Sequence, residues 1–321
     1  MKRSTKIWLI VAAALVLLGG LVLAGTLAKN GWDLAGMAAE ELESRTYDID
    51  EGFNSISIRA DSADIAFVRA ENGKCRVEVL ARKNEKHSVT VRDGMLLIEQ
   101  QDEESWYERV SPFNFARTRI TVWLPASDYA ALSVRQDTGE LTIPEDFAFE
   151  TASVSASTGE LSFRASVSET AELQTSTGDI LVENSSVGEL RVTVSTGEVT
   201  LRSLVCEGRL SLTVSTGKAT LTDVSCQSLV SGGSTGDLRL ERVLAADTIS
   251  VERGTGDVRL EECDAAELYI QTDTGSVTGT LNTEKLFQAN SRTGRVSVPD
   301  TITGGLCRIS TNTGNIEITV P

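Results

Sequence analysis

Apolar and polar positions alternate along the chain, first at Phe53, Ile56 and Ile58, then at Ile65 and Phe67, Val77 and Val79, Val89 and Val91, and Leu96 and Ile98. Period two predicts strands with one buried face. Turn signals such as Glu71-Asn72-Gly73 and Arg92-Asp93-Gly94 separate them. The alternation stops between Gln100 and Thr118, resumes at Ile120, Val122 and Leu124, and closes at Pro125.

Beyond residue 131 a second period is laid over the first. A Thr-Gly pair recurs every 19 or 20 residues, with its glycine at Gly139, Gly159, Gly178, Gly197, Gly217, Gly236, Gly256, Gly275, Gly294 and Gly314. Six positions before the Thr stand Leu132, Leu190, Leu210, Leu229, Ile249, Leu268, Phe287 and Cys307; four before it stand Val134, Val154, Leu173, Val192, Leu212, Val251, Ile270 and Ile309. Three and five positions after it come pairs such as Leu141 and Ile143, Val199 and Leu201, and Ile316 and Ile318. Eight to ten positions after it, Val167, Val187, Val205, Val224, Val243 and Cys263 supply a less regular third side.

A fixed period of this length marks a stacked repeat whose units bury their apolar faces only against neighbours. The expected fold is therefore all-β: a parallel β-solenoid, or β-helix, with 19-20-residue rungs. At about 4.8 Å per rung, ten rungs make a rod roughly 50 Å long. The glycine after each Thr predicts a corner that needs a positive φ or close contact between rungs. The Thr hydroxyls are expected to tie neighbouring rungs through side-chain to backbone hydrogen bonds. The array 131–321 thus follows an irregular first part, 47–130, read as opening rungs and a cap that contains the loop 100–118.

The amino-terminal segment is of another kind. An uncharged apolar run of 22 residues, Ile7 to Ala28, follows Lys2, Arg3 and Lys6 and precedes Asp33, Glu40, Glu41 and Glu43. Its length fits a transmembrane helix, and the basic flank places a stub, 1–6, in the cytoplasm and the body outside. The expectation is a single-pass cell-membrane protein with a spacer over 29–46. A signal peptide cleaved near Thr26-Leu27-Ala28 is the alternative, although the run exceeds the usual 7–15-residue signal core.

Charge narrows the partners. A net charge of -16 argues against nucleic acid. Five cysteines, Cys75, Cys206, Cys226, Cys263 and Cys307, make no disulfide framework. Cys206 and Cys226 each lie ten positions after their Thr, so they should stack in successive rungs as a bonded pair or as two thiols.

Candidate chemistry is sparse. Two positions after the Thr the column reads Glu140, Glu160, Asp179, Glu198, Lys218, Asp237, Asp257, Ser276, Arg295 and Asn315. Its first four carboxylates are candidate Ca²⁺ ligands, or else solvated acids fanning outward. Trp106, Tyr107, Arg109, Phe113 and Phe115 concentrate aromatic area in the loop, as a lid on the core or as a partner-binding surface. His87, the only histidine, lies in the charged turn Lys83-Asn84-Glu85-Lys86-His87-Ser88 and reads as a surface residue. Placed in that turn it does not suggest a Ser-His-Asp triad, a single histidine gives no multi-histidine metal site, and no cofactor motif is present. Acids repeated in every rung do not single out the paired carboxylates of a glycosidase. A non-enzymatic protein is expected.

Phe53-Asn54-Ser55-Ile56-Ser57-Ile58, Arg119-Ile120-Thr121-Val122-Trp123-Leu124-Pro125 and the Ser-Thr-Gly-Asp/Glu corners together resemble the bacterial β-strand-repeat family labelled "putative adhesins", a domain of unknown function. The resemblance runs from about Tyr47 to Pro321. It implies a β-helical envelope protein that engages a protein or envelope polysaccharide in adhesion or envelope-stress sensing, and it transfers no catalytic motif. The open last rung, Ile316-Glu317-Ile318-Thr319-Val320-Pro321, suggests self-association into a polymer as the alternative.

Overall fold

The computed structural model describes residues 42–83, 85–101 and 117–321, with positions 8, 12, 15–21, 25 and 28 of the apolar run. Among the described residues no helix is long and apolar enough to cross a membrane. A span needs about 20 helical residues, whereas the longest described helical stretch is 15–21. The expected transmembrane helix over 7–28, and with it the single-pass membrane location, is corrected on that ground. The strand Leu42–Ile49 also begins inside the stretch expected to be spacer.

The body is a parallel β-solenoid. In the first regular rungs one strand runs to the Thr and a short one follows the corner, as in Asp128–Thr138 with Leu141–Ile143 and Ala148–Thr158 with Leu161–Phe163. Further along, Val199–Thr216, Ala219–Thr235 and Leu238–Thr255 each run from one Thr-Gly corner to the next as one bent strand. Threonines stack on threonines: Thr138 on Thr158, Thr196 on Thr216, Thr216 on Thr235. The ties at the corner are main-chain, since the Gly139 N–H donates to the Thr158 carbonyl at 3.1 Å and the Gly256 N–H to that of Thr274 at 2.8 Å. The Thr side chains point to solvent, so the corner is closed by their carbonyls and not by the expected hydroxyls.

Both reasons for the glycine apply. Gly197 has φ 149°, and a Cβ there would lie 2.0 Å from the Gly178 carbonyl oxygen of the rung below. A second corner, seven positions after the Thr, also takes positive φ, yet without glycine: Asn184, Ser203, Asp223, Arg242 and Glu262 all lie between 49° and 55°. There the backbone has room for a Cβ, and only the left-handed strain remains.

The inward columns form one continuous core, with Leu132, Val134, Leu190, Val192, Ile249 and Val251 all buried. On the third side Val167, Val187, Val224, Val243 and Cys263 are buried as expected, but Val205 is 51% exposed. Leu204 and Cys206 occupy the inward positions there, because Leu204, directly after left-handed Ser203, is in register with Val224 and Val243, which follow left-handed Asp223 and Arg242.

The order of stacking departs from the order of the chain at both ends. The first rung, Ser55–Arg69, pairs with Asp128–Thr138 and Leu141–Ile143 on one side. On its other side it pairs with later segments, Met95–Gln101 and Thr118–Leu124. These are closed by the antiparallel strands Lys86–Arg92 and Cys75–Arg82, the latter carrying Leu42–Ile49. At the far end Gly305–Thr313 and Ile316–Thr319 insert between Glu267–Thr274 with Val277–Leu281 and Lys285–Thr293 with Val296–Ser297. Ile316 and Ile318 are buried at 0% and 2% exposure. The open rung expected at Ile316–Pro321 is thus interior, and the open rung is the one before it in sequence.

Candidate functional site

Along the side that leads into the Thr corner, five successive rungs present the same outward pair: Ser157-Thr158, Ser176-Thr177, Ser195-Thr196, Ser215-Thr216 and Ser234-Thr235, all exposed. Strand alternation places them there, because the residue before each pair is the last inward one. The result is a flat face of short hydroxyl side chains repeating at the rung spacing.

The surface dips where this series of Ser-Thr pairs ends. The outward column Thr213, Gly232, Glu252 and Gln271 is in register, and Gly232 leaves it without a side chain. Gly254 does the same in the neighbouring column. The outcome is a depression of about 390 Å³ over bare backbone, rimmed by Thr213, Ser215, Ser234, Glu252, Gln271 and Asp273. Asp273 is held by the Asn312 side-chain amide at 3.1 Å. A Cβ on Gly232 would meet nothing within 4 Å.

Beneath it the core is also altered. Ser231 stands where other rungs place apolar side chains, Gly233 leaves its inward position empty, and the guanidinium of Arg253 fills the space with 1% exposure. Its Nη2 donates to Ser231 Oγ at 2.8 Å and Nη1 to the Gly232 carbonyl at 3.3 Å, while Nε has no partner. Burial lowers its pKa. A Cβ on Gly233 would lie 1.8 Å from Nη1, so the glycine and the arginine are a matched pair. The sequence signal for both depression and buried cation is the run Ser231-Gly232-Gly233, the one rung lacking an apolar residue four positions before its Thr.

The acid column divides by side-chain length. Asp179 Oδ1 accepts the Glu198 N–H at 2.7 Å, Asp237 the Asp257 N–H at 2.9 Å, and Asp257 the Ser276 N–H at 2.7 Å. Asn315 takes the Arg295 N–H at 2.9 Å in the same way. Short side chains thus tie each rung to the next in the stack. The longer glutamates reach outward: Glu198 to Lys218 and Glu140 to Arg117, both at 3.7 Å, and Glu160 is exposed. Among the described residues no three Asp, Glu, His or Cys are grouped to hold a metal. Glu140, Glu160, Asp179 and Glu198 do stack as a column, but nothing gathers them around one point.

His87 is not on the surface. Its side chain is fully buried in the cap, with Nε2 3.6 Å from Glu85 Oε1, and Glu85 accepts the Thr118 hydroxyl at 2.8 Å. Burial, aided by the Arg45 charge, lowers its pKa to about 4, against the pull of the neighbouring carboxylate. Trp106, Tyr107, Arg109, Phe113 and Phe115 lie outside the described residues. Cys206 and Cys226 are in register on adjacent rungs as two buried free thiols, and burial pushes Cys226 up to about 12.

Fold and surface define a β-solenoid repeat protein that carries a depression on its hydroxyl-rich face. The chain belongs to the Toastrack DUF4097 family, whose model matches residues 53–319. Among solved structures, a "putative adhesin" of Parabacteroides distasonis is 15% identical, covering 88% of this chain and 98% of its own, with a TM-score of 0.48. A "putative adhesin" of Bacteroides fragilis is 14% identical over 88% of this chain and 99% of its own, TM-score 0.45. A "putative lipid binding protein" of P. distasonis is 14% identical over 74% of this chain and 96% of its own, TM-score 0.49. No curated protein matches the chain.

Proposed function

We propose that this protein is a non-catalytic binding module of adhesin type that takes a polysaccharide along its serine- and threonine-rich face, centred on the depression over Gly232. The observation that carries this reading is the depression itself, at the end of the regular run of Ser-Thr pairs. Hydroxyls from Thr213, Ser215 and Ser234, the Gln271 amide and the carboxylates of Glu252 and Asp273 converge there. Hydroxyls, amides and carboxylates pair with the donor and acceptor hydroxyls of a sugar. The rungs on the amino-terminal side of the depression repeat small hydroxyl groups, as an extended polymer requires, and those on the other side present Glu252, Gln271 and Asp273. The non-catalytic part is supported by the position of His87, buried in the amino-terminal cap away from this face.

The test is binding of the protein to immobilised polysaccharides, compared with Gly232→Arg. Because a side chain at Gly232 points into open space, this variant keeps the fold and fills the depression. The expected result is retention of a defined polysaccharide class, lost by at least about tenfold in the variant, with an unchanged melting temperature. Retention of no polysaccharide, equal retention by both proteins, or release of sugar fragments would overturn the proposal.

A further inference from the structure

The open end of the stack carries an inference independent of the polysaccharide reading. Lys285–Thr293 and Val296–Ser297 pair on one side only, with Gly305–Thr313 and Ile316–Thr319. Core positions that are sealed in every other rung are uncovered here. Val296 is 40% exposed where its counterparts Leu141, Val199 and Ile316 are at 1% or less, and Phe287, Ala289 and Val298 are only partly covered. Leu286 adds a further exposed apolar side chain. At the opposite end antiparallel strands cover the core, and among the described residues Leu96, Ile98, Ile120 and Val122 are each at 0% exposure.

We propose that two copies of this chain join end to end through this rung, with Lys285–Thr293 of one antiparallel to the same strand of the other about a two-fold axis at Gln288. An unpaired strand edge is a template for another strand, and a bare rung cross-section is matched in outline by another bare rung. Among the described residues this is the one open edge that belongs to a parallel rung, the free edges of Leu42–Ile49 and Lys86–Arg92 being antiparallel cap strands, so the contact uses the same patch on both copies and closes as a dimer.

Charge fits the same arrangement. Although the molecule carries -16, no Asp or Glu lies between Lys285 and Pro299. Arg292 and Arg295 make no ion pair among the described residues, and Lys285 is turned inward to Asp264 at 2.7 Å. With the axis at Gln288, Glu284 of each copy faces Arg292 of the other, Lys285 faces Ser291, and Phe287 faces Ala289. Every such pair joins positions of the same parity, so inward residues meet inward ones and the two cores become continuous. A residue on the axis faces itself, at the 4.5–5.5 Å Cβ separation of directly opposed residues.

The test is cross-linking of the full chain carrying Gln288→Cys with a short bis-maleimide; the native cysteines are buried. The expected product is a covalent dimer that does not lengthen further, with no product from Gln174→Cys on the lateral face. Adding Arg292→Glu should lower the yield by about tenfold or more. Glu284→Arg together with Arg292→Glu should restore it. A chain that stays monomeric at every concentration, a ladder of larger products, or a yield indifferent to charge reversal would each overturn the proposal. Unchanged circular dichroism in the Arg292→Glu protein separates loss of contact from loss of fold.

Discussion

At the scale of single residues, the corner glycine is the position with the least tolerance. A Cβ at Gly197 would meet the carbonyl of the rung below at 2.0 Å and hold φ at 149°, two independent costs of about 1–3 kcal/mol each. Gly197→Val should therefore lower the unfolding free energy by about 3 kcal/mol or more, whereas Thr200→Val, on the outward side of the following strand, should change it by less than about 0.5 kcal/mol. Chemical denaturation of both proteins checks the contrast. A second pair is coupled: Gly233→Ala should destabilise strongly because the new methyl meets Arg253 Nη1. Adding Arg253→Ala should recover the part of the loss due to the guanidinium, the contact with the Val214 carbonyl oxygen at 2.6 Å remaining, with a double-mutant coupling beyond about 1 kcal/mol. Additive losses would show that the two residues do not share the space. The glycine corners were legible from the sequence, since every one of the ten Thr residues precedes Gly. The left-handed corner at Asn184, Ser203, Asp223, Arg242 and Glu262 was not, because no residue type marks it.

At the scale of elements, the amino-terminal cap holds a histidine that folding keeps neutral. The ordinary pKa of His87 is 6.5 and its folded value is about 4, so the unfolded chain takes up the proton first as pH falls. Its contribution is complete above about pH 6.5 and is lost on the way down to pH 4, at up to about 1.4 kcal/mol per pH unit. Urea unfolding between pH 7 and 4 should show a steeper decline in the parent than in His87→Leu, and parallel curves would refute the assignment. The sequence placed His87 in a charged turn and therefore on the surface. What it could not convey is that the strand Lys86–Arg92 folds back antiparallel as a cap, which turns the ring inward. The acid column misled in a related way. Aspartate and glutamate look interchangeable in a repeat, yet the difference of one methylene makes the aspartates rung-to-rung ties and leaves the glutamates in solvent.

At the scale of the whole molecule, the two-level periodicity was enough to specify a solenoid, its rung length and its inward columns, because each rung repeats the same instruction. The same redundancy hides the order of stacking. Thr293 and Thr313 carry equivalent corners, so nothing in the repeat says which lies against Thr274, and it is Thr313. The surviving signal is the poorer inward set of the open rung, Phe287, Ala289 and Ser291, beside Cys307 and Ile309 of the inserted one. Ending the chain at residue 304 should accordingly remove protection from two rungs. Hydrogen exchange should find the amides of 285–297 as fast as those of an unfolded segment, whereas a stack in chain order would keep them slow.

The interleaved end also sets a timetable for the growing polypeptide. A solenoid stacked in chain order can add each turn as it leaves the ribosome. Here residues 285–298 emerge before the strands they rest on, Gly305–Thr313 and Ile316–Thr319, exist. That turn must wait unpaired until those strands arrive. This end is therefore completed out of chain order, and only once residues 305–319 have emerged.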